Sequence, residues 1–230
     1  MTPIKVSIER AYQLFQDTGK RRLSMSYSTF KSVGEVSQKF DIEVRTEQFT
    51  DRKEIKIPDY IFSRMEISLT EDAYFINEFA ICEHIISRIL DEVAEHYRQL
   101  LVWSRVPFNV DKEQGLVGEP DYLIAPKTKH GIMFVPPLCV MEAKQEKWNE
   151  GWAQTLAEMY AASVKGAKIC YGVVTTGKAW EFGKFENNIF TKDPSQISAT
   201  EDLKKVFDIL NWLFDKTNAH VDNLRRQAKI

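Results

Sequence analysis

The chain has 230 residues, 43% of them apolar and 28% charged, the balance of a globular protein long enough to bury a core. No apolar run approaches the roughly 20 residues of a membrane span, and the N-terminal MTPIKVSIERAY has no secretory pattern. A formal net charge of −2 argues against a uniformly basic nucleic-acid-binding surface, although acidic metal ligands would offset local Lys and Arg in that total. Cys82, Cys139 and Cys170 lie in apolar segments without CxxC spacing. That argues against a disulfide framework or a zinc cluster, and reads as reduced core thiols of a cytoplasmic protein.

Residues 6–17 have helical spacing, with Ile8, Tyr12 and Phe15 on one side, and a basic turn at 19–22 ends the pattern. Ser28-Thr29 suits the cap of a second short helix through Phe40, and 42–49 alternates like a strand. Residues 51–70 are mixed, punctuated by Pro58. Residues 1–70 therefore read as an accessory segment of helices and a strand, packed on a core formed by 71–230.

The core opens with a long helix at 73–101, capped by Glu71-Asp72. Its stripe is Phe75, Phe79, Cys82, Ile86, Ile89, Val93 and Tyr97. Three segments of strand character follow at 102–110, 120–125 and 132–143. A helix at 149–164 ends at Gly166, strands at 168–175 and 179–185 flank a Thr176-Gly177 turn, and an amphipathic helix spans 201–216 before a basic tail. The order predicts an α/β fold, α-β-β-β-α-β-β-α, with a central mixed sheet flanked by helices.

The chemistry-bearing residues sit at strand ends. Asp121 follows Pro120 at the start of the second core strand, and Glu142 and Lys144 lie two apart at the end of the third. Strand side chains alternate, so Glu142 and Lys144 share a face, and Asp121 can meet Glu142 if the two strands are neighbours. Two close carboxylates repel unless a cation lies between them. Mg²⁺ or Mn²⁺ suits such hard oxygen ligands, and a lysine beside them could orient a water or hold a phosphate oxygen.

Gly118-Glu119-Pro120-Asp121 followed by Glu142-Ala143-Lys144 resembles the signature of the PD-(D/E)xK, or restriction-endonuclease-like, nuclease superfamily, and the element order resembles its shared core. The stretches GLVGEPDYLIA, VMEAK, GWAQTLAEMYAA and YGVVTTGKAWEF resemble a bacterial, largely cyanobacterial group of these proteins, over roughly 72–190. The resemblance implies a divalent-metal-dependent nuclease that hydrolyses phosphodiester bonds in DNA, with Mg²⁺ or Mn²⁺ held by Asp121 and Glu142 and with Lys144 as the catalytic lysine. Relatives often add a glutamate from the preceding helix; Glu78 and Glu83 both qualify, on opposite sides of the stripe. Some carry a polar residue on the helix after the motif, where Gln154 stands, with Glu158 one turn further on the same face. Some keep the signature without activity, so the alternative is a catalytically inactive module that binds nucleic acid or protein through the same fold. A structural or regulatory protein is a third reading.

Other features read mainly as structure. Trp148, Trp152, Trp180 and Trp212 fit core or rim positions better than base-stacking platforms. Lys127, Lys129 and His130 form a basic loop that suits either a solvated hairpin tip or a phosphate contact. His84, His96 and His220 have no partner at ligand spacing. Thr175-Thr176-Gly177 lacks the pattern of a phosphate cradle, so no nucleotide cofactor is expected, nor any membrane partner. DNA is the expected partner, and a homodimer is compatible with the sequence.

Overall fold

A computed structural model describes residues 25–137, 139–144 and 147–227. The helix expected at 6–17, the basic turn at 19–22, the side chain of Cys139 and the end of the basic tail lie outside that description. Within it the chain is α/β: seven strands form one mixed sheet flanked by helices.

The N-terminal segment begins with a 3₁₀ turn, Tyr27–Thr29, and helix α1, Val33–Phe40. The cap of α1 is Ser32, whose hydroxyl accepts from the Glu35 N–H, rather than Ser28. The chain is extended at Phe30, so the Ser26–Thr29 turn cannot run on into the helix. Strand β1 is only Glu43–Thr46. Helix α2, Asp59–Thr70, occupies the segment that reads as mixed. Pro58 and Asp59 start it, and Met65, Ser68 and Leu69 form its buried face.

Helix α3 runs through three consecutive stretches, Glu78–Ile81, Cys82–Ile86 and Ser87–Ala94. Asn77 caps it by accepting from the Ala80 N–H, and the middle stretch is a π turn. Its buried stripe is Ile81, Cys82, Ile85, Ile86, Ile89, Leu90 and Val93. Phe79, expected in that stripe, falls in the first turn outside it and is 61% exposed.

Strand β2, Leu101–Ser104, is cut short by Arg105 at φ 50. β3 is Tyr122–Ala125 and β4 is Cys139–Ala143. The first half of the strand expected at 132–143 is a hairpin loop in which Thr128 N–H donates to the Ile132 carbonyl. Pro136 and Pro137 lack the N–H a ladder needs, so β4 starts after them. Helix α4, Trp148–Val164, leads to β5, Ile169–Thr175, and β6, Ala179–Glu186. A strand absent from the predicted order follows, β7, Ile189–Ser198, and helix α5 spans Leu203–Gln227, well past residue 216.

The sheet order is β1-β7-β6-β5-β4-β3-β2. β4 pairs β5 in parallel and β3 antiparallel; β1 pairs β7 in parallel. Helix α4 covers one face. A Cβ on Gly172 of β5 would lie 2.6 Å from Met159 Sδ and 2.8 Å from Thr155 Cγ2, so the helix backbone sits close against the sheet. The N-terminal layer then covers α4, with the Phe40 and Tyr160 rings stacked at 4.3 Å. On the other face, Tyr171 meets Trp212 of α5, and the Tyr122 hydroxyl donates to the Cys82 carbonyl of α3. Covered on both sides, α4 buries nearly every residue from Gly151 to Ala162. No described helix is long and apolar enough to cross a membrane.

Candidate metal centre

The β3–β4 register pairs Tyr122 with Met141, so one step further Asp121 stands opposite Glu142. Directly opposed residues of an antiparallel pair share a face. For Glu142 that face is the one covered by α4, and Lys144 follows just beyond the strand end. The site therefore forms where the strand ends, the first turn of α3 and helix α4 converge.

Asp121 Oδ2 accepts from the Ala143 N–H at 3.0 Å, which ties the two strand ends together, and Arg105 Nε lies 3.7 Å from Asp121 Oδ1. Lys144 Nζ is 3.5 Å from Glu142 Oε2 and 3.9 Å from Glu78 Oε2. Burial alone would lower the Lys144 pKa, but the Glu142 and Glu78 carboxylates outweigh it and hold the ammonium above its ordinary value. Glu83 is exposed and makes no ion pair among the described residues. Of the two helix acids, Glu78 is the one brought to Lys144.

Glu158 is the residue that the motif reading passes over in favour of Gln154. It is fully buried, and Gln154 Nε2 donates to its Oε1 at 3.2 Å. Glu142 is 1% exposed. Glu142 Oε1 and Glu158 Oε2 find no donor among the described residues, and the charge of Glu158 acts on Glu142. Burial, then Glu158 and Asp121, drive the Glu142 pKa well above the carboxylate range. Burial likewise pushes Glu158 up to about 8, against the hydrogen bonds from Glu142 and Gln154 that resist it. In GWAQTLAEMY, Glu158 stands one turn after Gln154, and because α4 is covered on both sides its carboxyl is buried.

Two buried carboxyls with unsatisfied oxygens, beside a third carboxylate, are a hard-oxygen donor set that fits Mg²⁺ or Mn²⁺. Among the described residues no three His, Cys, Asp or Glu side chains draw together as a ready ligand cage. That is compatible with Mg²⁺, which keeps several waters and is commonly bound by one or two carboxylates.

The remaining sequence features fall elsewhere. Lys127, Lys129 and His130 sit on the hairpin loop between β3 and β4, at the opposite end of these strands from Asp121 and Glu142. Trp152 and Trp180 are buried, while Trp148 and Trp212 are partly buried against the core. Cys82 and Cys170 are buried, and burial pushes the Cys82 thiol up to about 11. Compared with known proteins, the sequence matches no family model, and no curated protein matches it significantly.

Proposed function

We propose that the chain is a restriction-endonuclease-like, divalent-metal-dependent nuclease that hydrolyses phosphodiester bonds in DNA. The supporting observation is the buried Glu142 carboxyl, with an oxygen that finds no donor among the described residues, beside Asp121 and Lys144 and on the face covered by the helix that carries the buried Glu158. Acids are not buried in this way for stability alone, because an unpaired carboxylate costs several kcal/mol, on the order of 1–3 even when neutral and unsatisfied. Asp121 and Glu142 would hold Mg²⁺ or Mn²⁺, with Glu158 as a further oxygen donor. A bound divalent ion supplies a coordinated water of lowered pKa and offsets charge on the phosphate. Lys144, held between Glu142 and Glu78, would orient a water or hold a phosphate oxygen. Glu78 holds Lys144 from the mouth, and Gln154 holds Glu158 from behind.

The core supports the same reading. A helix, three strands, a helix and a parallel return strand deliver the three residues to one sheet end, with β4 and β5 as the parallel pair. The buried thiols fit a reducing cytoplasm. A second reading, a catalytically inactive nucleic-acid or protein-binding relative, draws on Asp121 Oδ2 being already engaged by the Ala143 N–H.

The test is cleavage of end-labelled single-stranded, duplex and branched DNA with Mg²⁺ or Mn²⁺, against chelator. Cleavage is expected from the wild type and lost in Asp121→Asn and Lys144→Ala. Because Lys144→Ala removes only a positive charge, metal binding should persist or tighten in it, as read by titration calorimetry. Metal binding without cleavage of any substrate would favour the inactive relative.

A further inference from the structure

Two cations flank Lys144 at the same sheet end, and both rest on phenylalanines of one short segment. Arg105 follows β2 and Lys178 lies in the β5–β6 turn, so the order along the sheet end is Lys178, Lys144, Asp121, Arg105. From β5 to β2 is three strand intervals, about 14 Å at roughly 4.8 Å each. Lys178 Nζ lies 4.2 Å from the Phe75 ring centroid, and Arg105 Cζ lies 4.1 Å from that of Phe79. Phe79 packs into no core at 61% exposure, and its ring face is occupied by the guanidinium. Arg105 also holds φ at 50, a conformation L side chains rarely adopt. Strain of this kind persists where the surroundings hold a side chain in place.

The guanidinium stands 3.7 Å from Asp121 Oδ1 but makes no hydrogen bond among the described residues. Its side chain is 32% exposed, so the guanidinium keeps N–H donors within reach of an incoming anion. Lys178 makes no ion pair among the described residues. A cation resting on an aromatic face is already partly desolvated and positioned, which lowers the cost of engaging an anion. Two such cations, one on each side of the carboxylates and Lys144, suit a polyanion longer than a single phosphoester.

We propose that Arg105 and Lys178 grip backbone phosphates of a nucleic-acid strand on either side of the bond held at Glu142 and Lys144, an inference that rests on the nuclease reading. Arg105 gives the directional contact through its fork, and Lys178 gives a point charge. Phe79 and Phe75 act as shelves that fix where each cation stands.

The test uses the whole chain carrying Lys144→Ala, so that DNA is bound without being cut. Binding of fluorescein-labelled duplex and single-stranded DNA is read by anisotropy over a salt series, alone and with Arg105→Gly, Lys178→Ala or both. Glycine accepts the positive φ, so Arg105→Gly should keep the melting temperature. Each added substitution should weaken binding about tenfold and lower the duplex salt slope by about 0.9. Arg105→Lys should keep the slope while recovering only part of the affinity. Unchanged affinity and slope in both variants would overturn the proposal and leave Arg105 as a support for Asp121. A loss of affinity with an unchanged slope and a lowered melting temperature would mark structural damage and count equally against it. Were the Lys144→Ala chain itself to bind neither DNA form in a salt-dependent way, the nucleic-acid reading would fall, and this inference with it.

Discussion

Glu142 and Glu158 are both buried in the interior, each with an oxygen that finds no donor among the described residues, and that makes the site sensitive to pH. Both carboxyls hold a proton more tightly in the folded chain than in the unfolded one, Glu142 well above the ordinary range and Glu158 up to about 8. The folded state therefore binds more protons than the unfolded state between the ordinary glutamate pKa of about 4.3 and the raised values. Stability from this source is complete below that window and is lost as pH rises through it. Without divalent ions the melting temperature should fall from about pH 5 towards pH 8, by at least about 1 kcal/mol of stability. Glu158→Gln should flatten the fall, since an amide can donate to Glu142 and cannot ionise. Thermal melts of both proteins across that range provide the check; equal slopes would mean that the pair is not what titrates. Asp121 and Lys144 face the same pair, and their opposite charges partly cancel in their effect on it.

At the scale of elements, the contact between α4 and β5 sets where Glu158 stands. Gly172 permits it: an added Cβ would meet Met159 Sδ at 2.6 Å and Thr155 Cγ2 at 2.8 Å, one on each side of Glu158 in the helix sequence. Gly172→Ala should destabilise by about 1–3 kcal/mol through overpacking, measured by urea denaturation. It should also weaken metal binding, because the helix must lift. The sheet end was legible in the sequence because Glu142 and Lys144 obey the period of two and Asp121 sits after a proline, signals that survive without tertiary information. Other elements were legible only in part. The β6–β7 turn is marked by Asn187-Asn188, both at positive φ, as two-residue hairpins favour. Yet Asp193-Pro194 interrupts the strand that follows, and the structure absorbs it in a register shift between Glu181 and Gly183. The start of α3 was misread because Phe79 suits a core stripe in type but not in place. Its ring serves Arg105 instead, a use that only the three-dimensional arrangement reveals. Glu158 was hidden for a similar reason: an acid on a helix reads as solvated until the helix is known to be covered on both sides.

Across the whole molecule, the segment between β1 and α2 straps the N-terminal part to the last strand and helix. Asp193 accepts from the Phe49, Thr50 and Ser195 N–H groups and from the Thr50 hydroxyl; Asp208 accepts from the Ile55 N–H, and Asn211 donates to the Lys53 and Glu54 carbonyls. Burial would raise the Asp193 pKa, but the Thr50 and Ser195 amides, with the other donors, outweigh it and hold the carboxyl below the ordinary range. Its contribution is thus present above the ordinary aspartate pKa and is lost as pH falls below it. Asp193→Ala should cost about 1–3 kcal/mol, since several part-buried donors lose their acceptor at once, and should loosen the strap to proteolysis before the sheet unfolds. The carboxylates at the sheet end work in the opposite sense, storing repulsion in the folded chain that a cation would relieve. Binding to the folded state alone adds RT ln(1 + [L]/Kd), about 2.7 kcal/mol at a hundredfold excess over Kd. The most direct measurement is the melting temperature of the wild type, Asp121→Asn and Glu142→Gln with and without millimolar Mn²⁺ at pH 8. The wild type should rise by several degrees, and both variants should lose most of that rise without being less stable than the wild type in the absence of metal. An unchanged wild-type melting temperature would contradict a cation site at Asp121 and Glu142.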